Sequence, residues 1–152
     1  MDHNMFCFQC EQTAGCTGCG VCGKDAQTAQ VQDRLTGALI GLARAADTSP
    51  DAGPETWQLM IEGLFATLTN VNFDPDSLNA LAGRVRAEKQ RLVPDCAVCT
   101  APCGRTGDYD LAQLWGAQED IRSLKSLLLF GRPCLSRHGA RLPGRVRRTF
   151  SV

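Results

Sequence analysis

Five of the nine cysteines fall in one short stretch, Cys7-x2-Cys10-x5-Cys16-x2-Cys19-x2-Cys22. A two-residue gap lets two thiolates reach one metal ion or one cluster from a tight turn. Gly15, Gly18, Gly20 and Gly23 let the backbone come close and supply positive φ where a turn needs it. The backbone N–H groups of such a loop can also aim at cluster sulfurs. Four thiolates suit a [4Fe–4S] or [2Fe–2S] cluster, or one tetrahedral Zn²⁺. The stretch 5–24 has no histidine and its cysteines are tightly spaced, which fits an iron–sulfur cluster better than a zinc knuckle. On spacing alone zinc stays open, as do unliganded or disulfide-bonded thiols.

A second group, Cys96-x2-Cys99-x3-Cys103, is one donor short of a closed site. Cys134 is the remaining cysteine and a candidate fourth donor, but it lies in an Arg-rich tail beyond a long helical pattern. A second metal site and purely structural thiols both stay open there. His3 and His138 stand apart from either group and read as solvent-exposed. No G-x-S-x-G, P-loop or G-x-G-x-x-G pattern is present, so familiar hydrolase, nucleotide-phosphate and dinucleotide sites are not indicated. Glu11, Asp33, Glu62 and Asp120 have no partner at a meaningful spacing and read as solvated helix faces.

Helices must position these loops. Val31, Leu35, Leu39, Leu42 and Ala46 recur at steps of three and four, which predicts an amphipathic helix over 28–47. The stretch 48–54, TSPDAGP, is a turn-rich break, and Pro54 suits the first turn of the next helix. That helix, over 55–69, is expected to bury Trp57, Met60, Ile61, Leu64, Phe65 and Leu68. Asp74 followed by Pro75 reads as an N-cap opening a helix over 75–92, with Leu78, Leu81, Val85 and Leu92 inward. A fourth helix over 111–130 places Leu111, Leu114, Trp115, Ile121, Leu124, Leu127 and Leu128 inward. No strand pattern competes. The expected fold class is all-α: a small up-down helical bundle with two cysteine-rich loops.

The chain has 152 residues, 43% hydrophobic and 21% charged, which suits one folded domain. It has no apolar run long enough for a membrane span, and no basic segment followed by an apolar one as in a secretory leader. Many cysteines without export signals point to a cytoplasmic protein whose thiols serve metal or redox chemistry. The zero net charge hides a split: residues 1–130 carry all 16 acids, and 131–152 carry six Arg and no acid. A basic arm for a polyanion is one reading of that tail. Its lack of periodicity and its single aromatic, Phe150, argue against nucleic acid and for a disordered or foreign tail.

The stretch MFCFQCEQTAGCTGCGVCGK resembles the amino terminus of the hybrid-cluster proteins, also called prismane proteins or hydroxylamine reductases. QDRLTGALIGL, LFATLTNVNFD and DYDLAQLWGAQEDIRSLKSLLLFG resemble later family segments, in family order, so the resemblance spans residues 5–130. Met5 aligns with the usual family start. The resemblance implies a cluster on Cys7, Cys10, Cys16 and Cys22, with Cys19 spare. The gap between Cys10 and Cys16 is shorter than usual, which leaves Cys19 able to replace Cys16. The spacing is nearer to family members that carry [4Fe–4S] than to those that carry [2Fe–2S].

The resemblance further implies an electron-transfer domain, supplied by a redox partner protein. In the intact family it serves NH₂OH + 2e⁻ + 2H⁺ → NH₃ + H₂O, with roles toward nitric oxide. The family's catalytic hybrid cluster takes its ligands from later domains whose motifs are missing here. Residues 1–130 are therefore expected to be the N-terminal iron–sulfur domain, and 131–152 a non-family tail of a truncated or frameshifted member, inactive toward hydroxylamine by itself. Apolar helix faces left exposed are the expected consequence. The competing expectation is a zinc-stabilised helical binding module with a basic tail.

Overall fold

Asp25 opens the first helix of the computed structural model, which describes residues 7–9, 16, 20, 22–68, 71–94 and 107–130. Its extended backbone turns the carboxylate back to accept the Thr28 N–H at 2.7 Å. That bond satisfies one of the donors a helix start leaves without an intrahelical partner. Helix α1 then runs Ala26–Thr48, close to the expected 28–47. The predicted positions Val31, Leu35, Leu39, Leu42 and Ala46 are all buried, as are Ala38 and Ala45 between them. The buried surface wraps much of the helix because α1 is central, packing against both α2 (Pro54–Ala66) and α3 (Pro75–Leu92).

Helix α3 follows its sequence signals. Asp74 caps it by accepting the Asp76 N–H at 3.0 Å, Pro75 sits in the first turn, and Leu78, Leu81, Val85 and Leu92 are buried. Helix α2 departs from its signals in two ways. It ends at Ala66 rather than 69, where the Thr67 N–H turns to the Gly63 carbonyl and the Leu68 N–H to that of Phe65. Its bulky row also faces out: Trp57 is 47% exposed, Ile61 68% and Phe65 61%. The buried row is instead Thr56, Leu59, Gly63 and Ala66, with Met60 and Leu64 partly buried beside the core. The reason is close approach. A Cβ on Gly63 would lie 2.6 Å from Leu39 Cδ2, so α2 meets α1 along a small-residue row and the large row is rotated outward.

Residues 107–110 form a strap across α1. The Tyr109 N–H donates to the Gly37 carbonyl at 3.0 Å, and Arg44 stacks over the Tyr109 ring at 5.4 Å. Cβ atoms on Gly37 and Gly41 would meet the Tyr109 and Gly107 carbonyl oxygens at 2.3 and 3.0 Å, so two glycines one turn apart cut the notch the strap occupies. Asp108 anchors it to α3 through Lys89 at 2.6 Å and Arg86 at 2.8 Å.

The single helix expected over 111–130 is two: α4 (Leu111–Trp115) and α5 (Glu119–Phe130). Gly116 closes α4, its N–H reaching the Ala112 carbonyl at 2.9 Å. The Ala117 N–H then takes the Leu114 carbonyl at 3.2 Å, and the Gln118 carbonyl accepts from Arg122 to start α5. Glycine is a poor helix residue, and here it lets a tighter turn interrupt the ladder. Leu111 and Leu114 are buried as expected. On α5, Ile121, Leu124, Leu127 and Leu128 are exposed, not inward; Leu124 is 60% exposed. Among the described residues no helix is long and apolar enough to cross a membrane.

Candidate functional site

Two of the amino-terminal cysteines, Cys7 and Cys16, pack against the start of α1. Cys7 and Cys16 face each other as an isolated antiparallel bridge. Directly opposed residues of such a pair put their side chains on one face, with Cβ atoms about 4.5–5.5 Å apart. Both are buried and pack with Ala26 and Ala29 of the first helical turn. Cys22 is half-buried, in a turn closed by Gly20 N–H to the Lys24 carbonyl and Gly23 N–H to the Gly20 carbonyl, both 2.9 Å.

Two glycines are needed in that turn. Gly23 has φ of 88°, which a side chain resists. A Cβ on Gly20 would come 3.2 Å from Cys22 Sγ and 3.0 Å from the Lys24 carbonyl oxygen, so backbone approaches the sulfur where no side chain fits.

No disulfide joins Cys7, Cys16 and Cys22 to one another. Cys10, Cys19, Cys96, Cys99, Cys103 and Cys134 lie outside the described residues, as do Glu11, both histidines and the Arg-rich stretch. Among the described residues, no group of three or more His, Cys, Asp or Glu gathers as a metal-ion site. The structure therefore brings Cys7 and Cys16 together, while Cys22, in the glycine turn before α1, does not join them as a three-donor group.

The residue that sequence reasoning passed over is Lys24. It is 2% exposed, and its ammonium lies 3.8 Å from Cys7 Sγ and 2.7 Å from Gln9 Oε1. Gln9 in turn donates through Nε2 to the Thr67 carbonyl at the end of α2. Nothing in the sequence marks this lysine as buried; its one signal is its place directly after the Cys22–Gly23 turn.

The N-terminus of α1 contributes partial positive charge to the same corner. The Asp25 carboxyl is held below the usual carboxylate range by its bonds to Thr28. Asp33, expected on a solvated face, is half-buried, and burial pushes its carboxyl up to about 7 against the pull of Lys24. Glu62 and Asp120 are exposed as expected; Glu62 pairs with Arg84 at 2.7 Å.

Phe8 ties the cysteine stretch to α4. Its ring meets Trp115 edge-on with centroids 6.1 Å apart, and Arg122 stacks on the other ring partner at 4.8 Å from the Trp115 centroid. Beside Phe8 opens a cleft of about 270 Å³, walled by Asp33, Arg34, Arg86, Asp108 and Tyr109. The donor chemistry fits a thiolate-ligated group. Soft sulfur donors are withdrawn from water, a cation faces one of them, and glycine backbone lies against another.

The chain matches the family described as Prismane/CO dehydrogenase over residues 5–151. It is 35% identical to the hydroxylamine reductase of Kosmotoga olearia over 84% of this chain and 28% of the relative. It is 51% identical to that of Thermodesulfovibrio yellowstonii over 83% of this chain and 28% of the relative. A shorter stretch, 58% of this chain and 17% of the relative, is 49% identical to the hydroxylamine reductase of Syntrophobacter fumaroxidans. The chain thus spans little more than a quarter of the length of the first two relatives.

Proposed function

The chain belongs to the Prismane/CO dehydrogenase family, and on that premise we propose that it is an iron–sulfur electron-transfer unit of the hydroxylamine reductase type. The ligands we assign are Cys7, Cys10, Cys16 and Cys22, and the cluster type is [4Fe–4S]. The observation that carries the reading is the buried Cys7–Cys16 pair beside the Lys24 ammonium.

A cluster bound there supplies one-electron acceptance and release. The protein's own residues do the rest. The bridge holds two thiols on one face. The Gly20–Gly23 turn presents Cys22 and lets backbone approach its sulfur. Ala26 and Ala29 keep water from the Cys7–Cys16 pair. Gln9, anchored on Thr67, fixes where Lys24 places its charge.

In this reading a redox partner protein delivers electrons, and they serve NH₂OH + 2e⁻ + 2H⁺ → NH₃ + H₂O in the longer relatives; nitric oxide chemistry belongs to those as well. We place the unit at residues 1–130 and read 131–152 as an Arg-rich tail, although the family match itself runs to residue 151. The cytoplasm, where thiols stay reduced, is its compartment.

Serine scanning tests the ligand set. Cys7→Ser, Cys10→Ser, Cys16→Ser and Cys22→Ser should each abolish the visible and EPR signals of the anaerobically reconstituted chain, and Cys19→Ser should spare them. Loss of the cluster in Cys19→Ser with retention in Cys16→Ser would move the third ligand to Cys19. Zinc bound in place of iron by the wild-type chain would favour the helical binding module instead.

A further inference from the structure

We propose that Lys24 is the fixed counter-cation of the thiolate-ligated group, raising its reduction potential through Cys7. This rests on the cluster reading above and adds to it a residue that is not a ligand.

Lysine is almost never fully buried unless its charge is paired. Lys24 is 2% exposed, yet no carboxylate lies within ion-pair distance of it among the described residues. Its ammonium contacts are the Cys7 sulfur at 3.8 Å and the neutral Gln9 amide oxygen at 2.7 Å. Asp33 attracts it electrostatically from farther off, and burial works against the charge on that carboxyl. Among the described residues, the sulfur at contact distance from the buried ammonium is therefore that of Cys7.

The charge is also held in place. The Lys24 carbonyl is fixed by the Gly20 N–H at 2.9 Å. Its ammonium is fixed by Gln9, whose other amide atom is tied to the end of α2. A cation that cannot move or hydrate exerts more field than a solvated one. Taking up an electron adds negative charge to a thiolate-ligated group, so a fixed cation at contact with one ligand stabilises the reduced form.

The test uses the full chain reconstituted without oxygen, as wild type, Lys24→Gln and Lys24→Arg. Iron and acid-labile sulfide per chain, circular dichroism and an EPR-monitored redox titration are the readouts. Lys24→Gln should load a cluster and disfavour its reduction at least tenfold, a fall of 59 mV or more for one electron. Lys24→Arg, which keeps the charge, should recover most of that shift. A helical Lys24→Gln that fails to hold the cluster while Lys24→Arg holds it also supports the role of charge. An unchanged potential in Lys24→Gln overturns the proposal, as does equal loss of the cluster in both variants. If the wild type takes up no iron, the cluster reading itself fails. If the wild type loads normally and only the potential is indifferent to Lys24, that reading stands and this inference falls.

Discussion

Gly37→Ala should unlatch the strap over α1. The added Cβ would lie 2.3 Å from the Tyr109 carbonyl oxygen and 3.3 Å from its carbon. These are backbone atoms, so no rotamer change relieves the clash; the strap has to lift. Lifting it strains the Tyr109 N–H bond to the Gly37 carbonyl, 3.0 Å long, and draws Asp108 away from Lys89 and Arg86. Overpacking of this kind costs about 1–3 kcal/mol. A weakened hydrogen bond adds about 0.5–1.5 kcal/mol. Replacing glycine by alanine inside a helix returns about 1 kcal/mol. The net expectation is a loss of about 1–3 kcal/mol.

Gly83→Ala is the matched control. It lies within α3 with open space where its Cβ would go, so it should gain about 1 kcal/mol from the same helix preference. The two variants should therefore differ by about 2–4 kcal/mol in urea unfolding followed by circular dichroism. The strap leads directly into α4, whose Trp115 meets Phe8, so indole fluorescence should report the same loosening near the cysteine stretch. A Gly37→Ala chain as stable as wild type would refute the close approach on which this reasoning stands.

Acid should act through Glu88, whose carboxyl Arg91, and then Thr56, hold down to about 2 from an ordinary 4.5. A depressed folded-state value means its stabilisation is complete above about pH 4.5 and is lost as pH falls toward 2; Glu88→Gln should flatten that part of a stability–pH curve by about 1–2 kcal/mol, allowing for the exposure of Arg91. Asp33 has the opposite sign. Burial raises its carboxyl from 3.8 to about 7, so it costs stability as pH rises through that window, and Asp33→Asn should stabilise the chain at pH 8 and have little effect at pH 4, as chemical denaturation at both pH values would show. The row Ile121, Leu124, Leu127 and Leu128 should promote self-association, which sedimentation velocity would see as a concentration-dependent shift that Leu124→Lys with Leu127→Lys removes. A compact monomer at all concentrations in the wild type would contradict it.

Local signals carried the helix starts well. Asp74–Pro75 and Pro54 mark real first turns because capping and proline geometry are decided within a few residues. The face of α1 was legible because a central helix buries every apolar position that periodicity selects. The face of α2 was not. Its row of large apolar residues outweighs Thr56, Gly63 and Ala66 in any hydrophobic pattern, yet close packing on Leu39 favours the small row. The break at Gly116 was hidden for a related reason: the apolar rhythm runs through it, while the hydrogen-bond ladder does not.

At the site, the cysteine spacing predicts thiolate ligands, and the structure sets Cys7 and Cys16 opposite each other. The burial of Lys24 was invisible, because it depends on Gln9 and on the end of α2, 43 residues away at Thr67. A charged residue next to a turn ordinarily reads as solvent-facing. Only the assembled corner turns it toward a sulfur.

We propose above that the amino-terminal cysteines hold an iron–sulfur cluster. The most direct measurement is iron, acid-labile sulfide and zinc per chain on protein purified without oxygen, with an EPR spectrum after dithionite reduction. About four irons and four sulfides per chain and a reduced-cluster signal are expected. Zinc without iron or sulfide would contradict it.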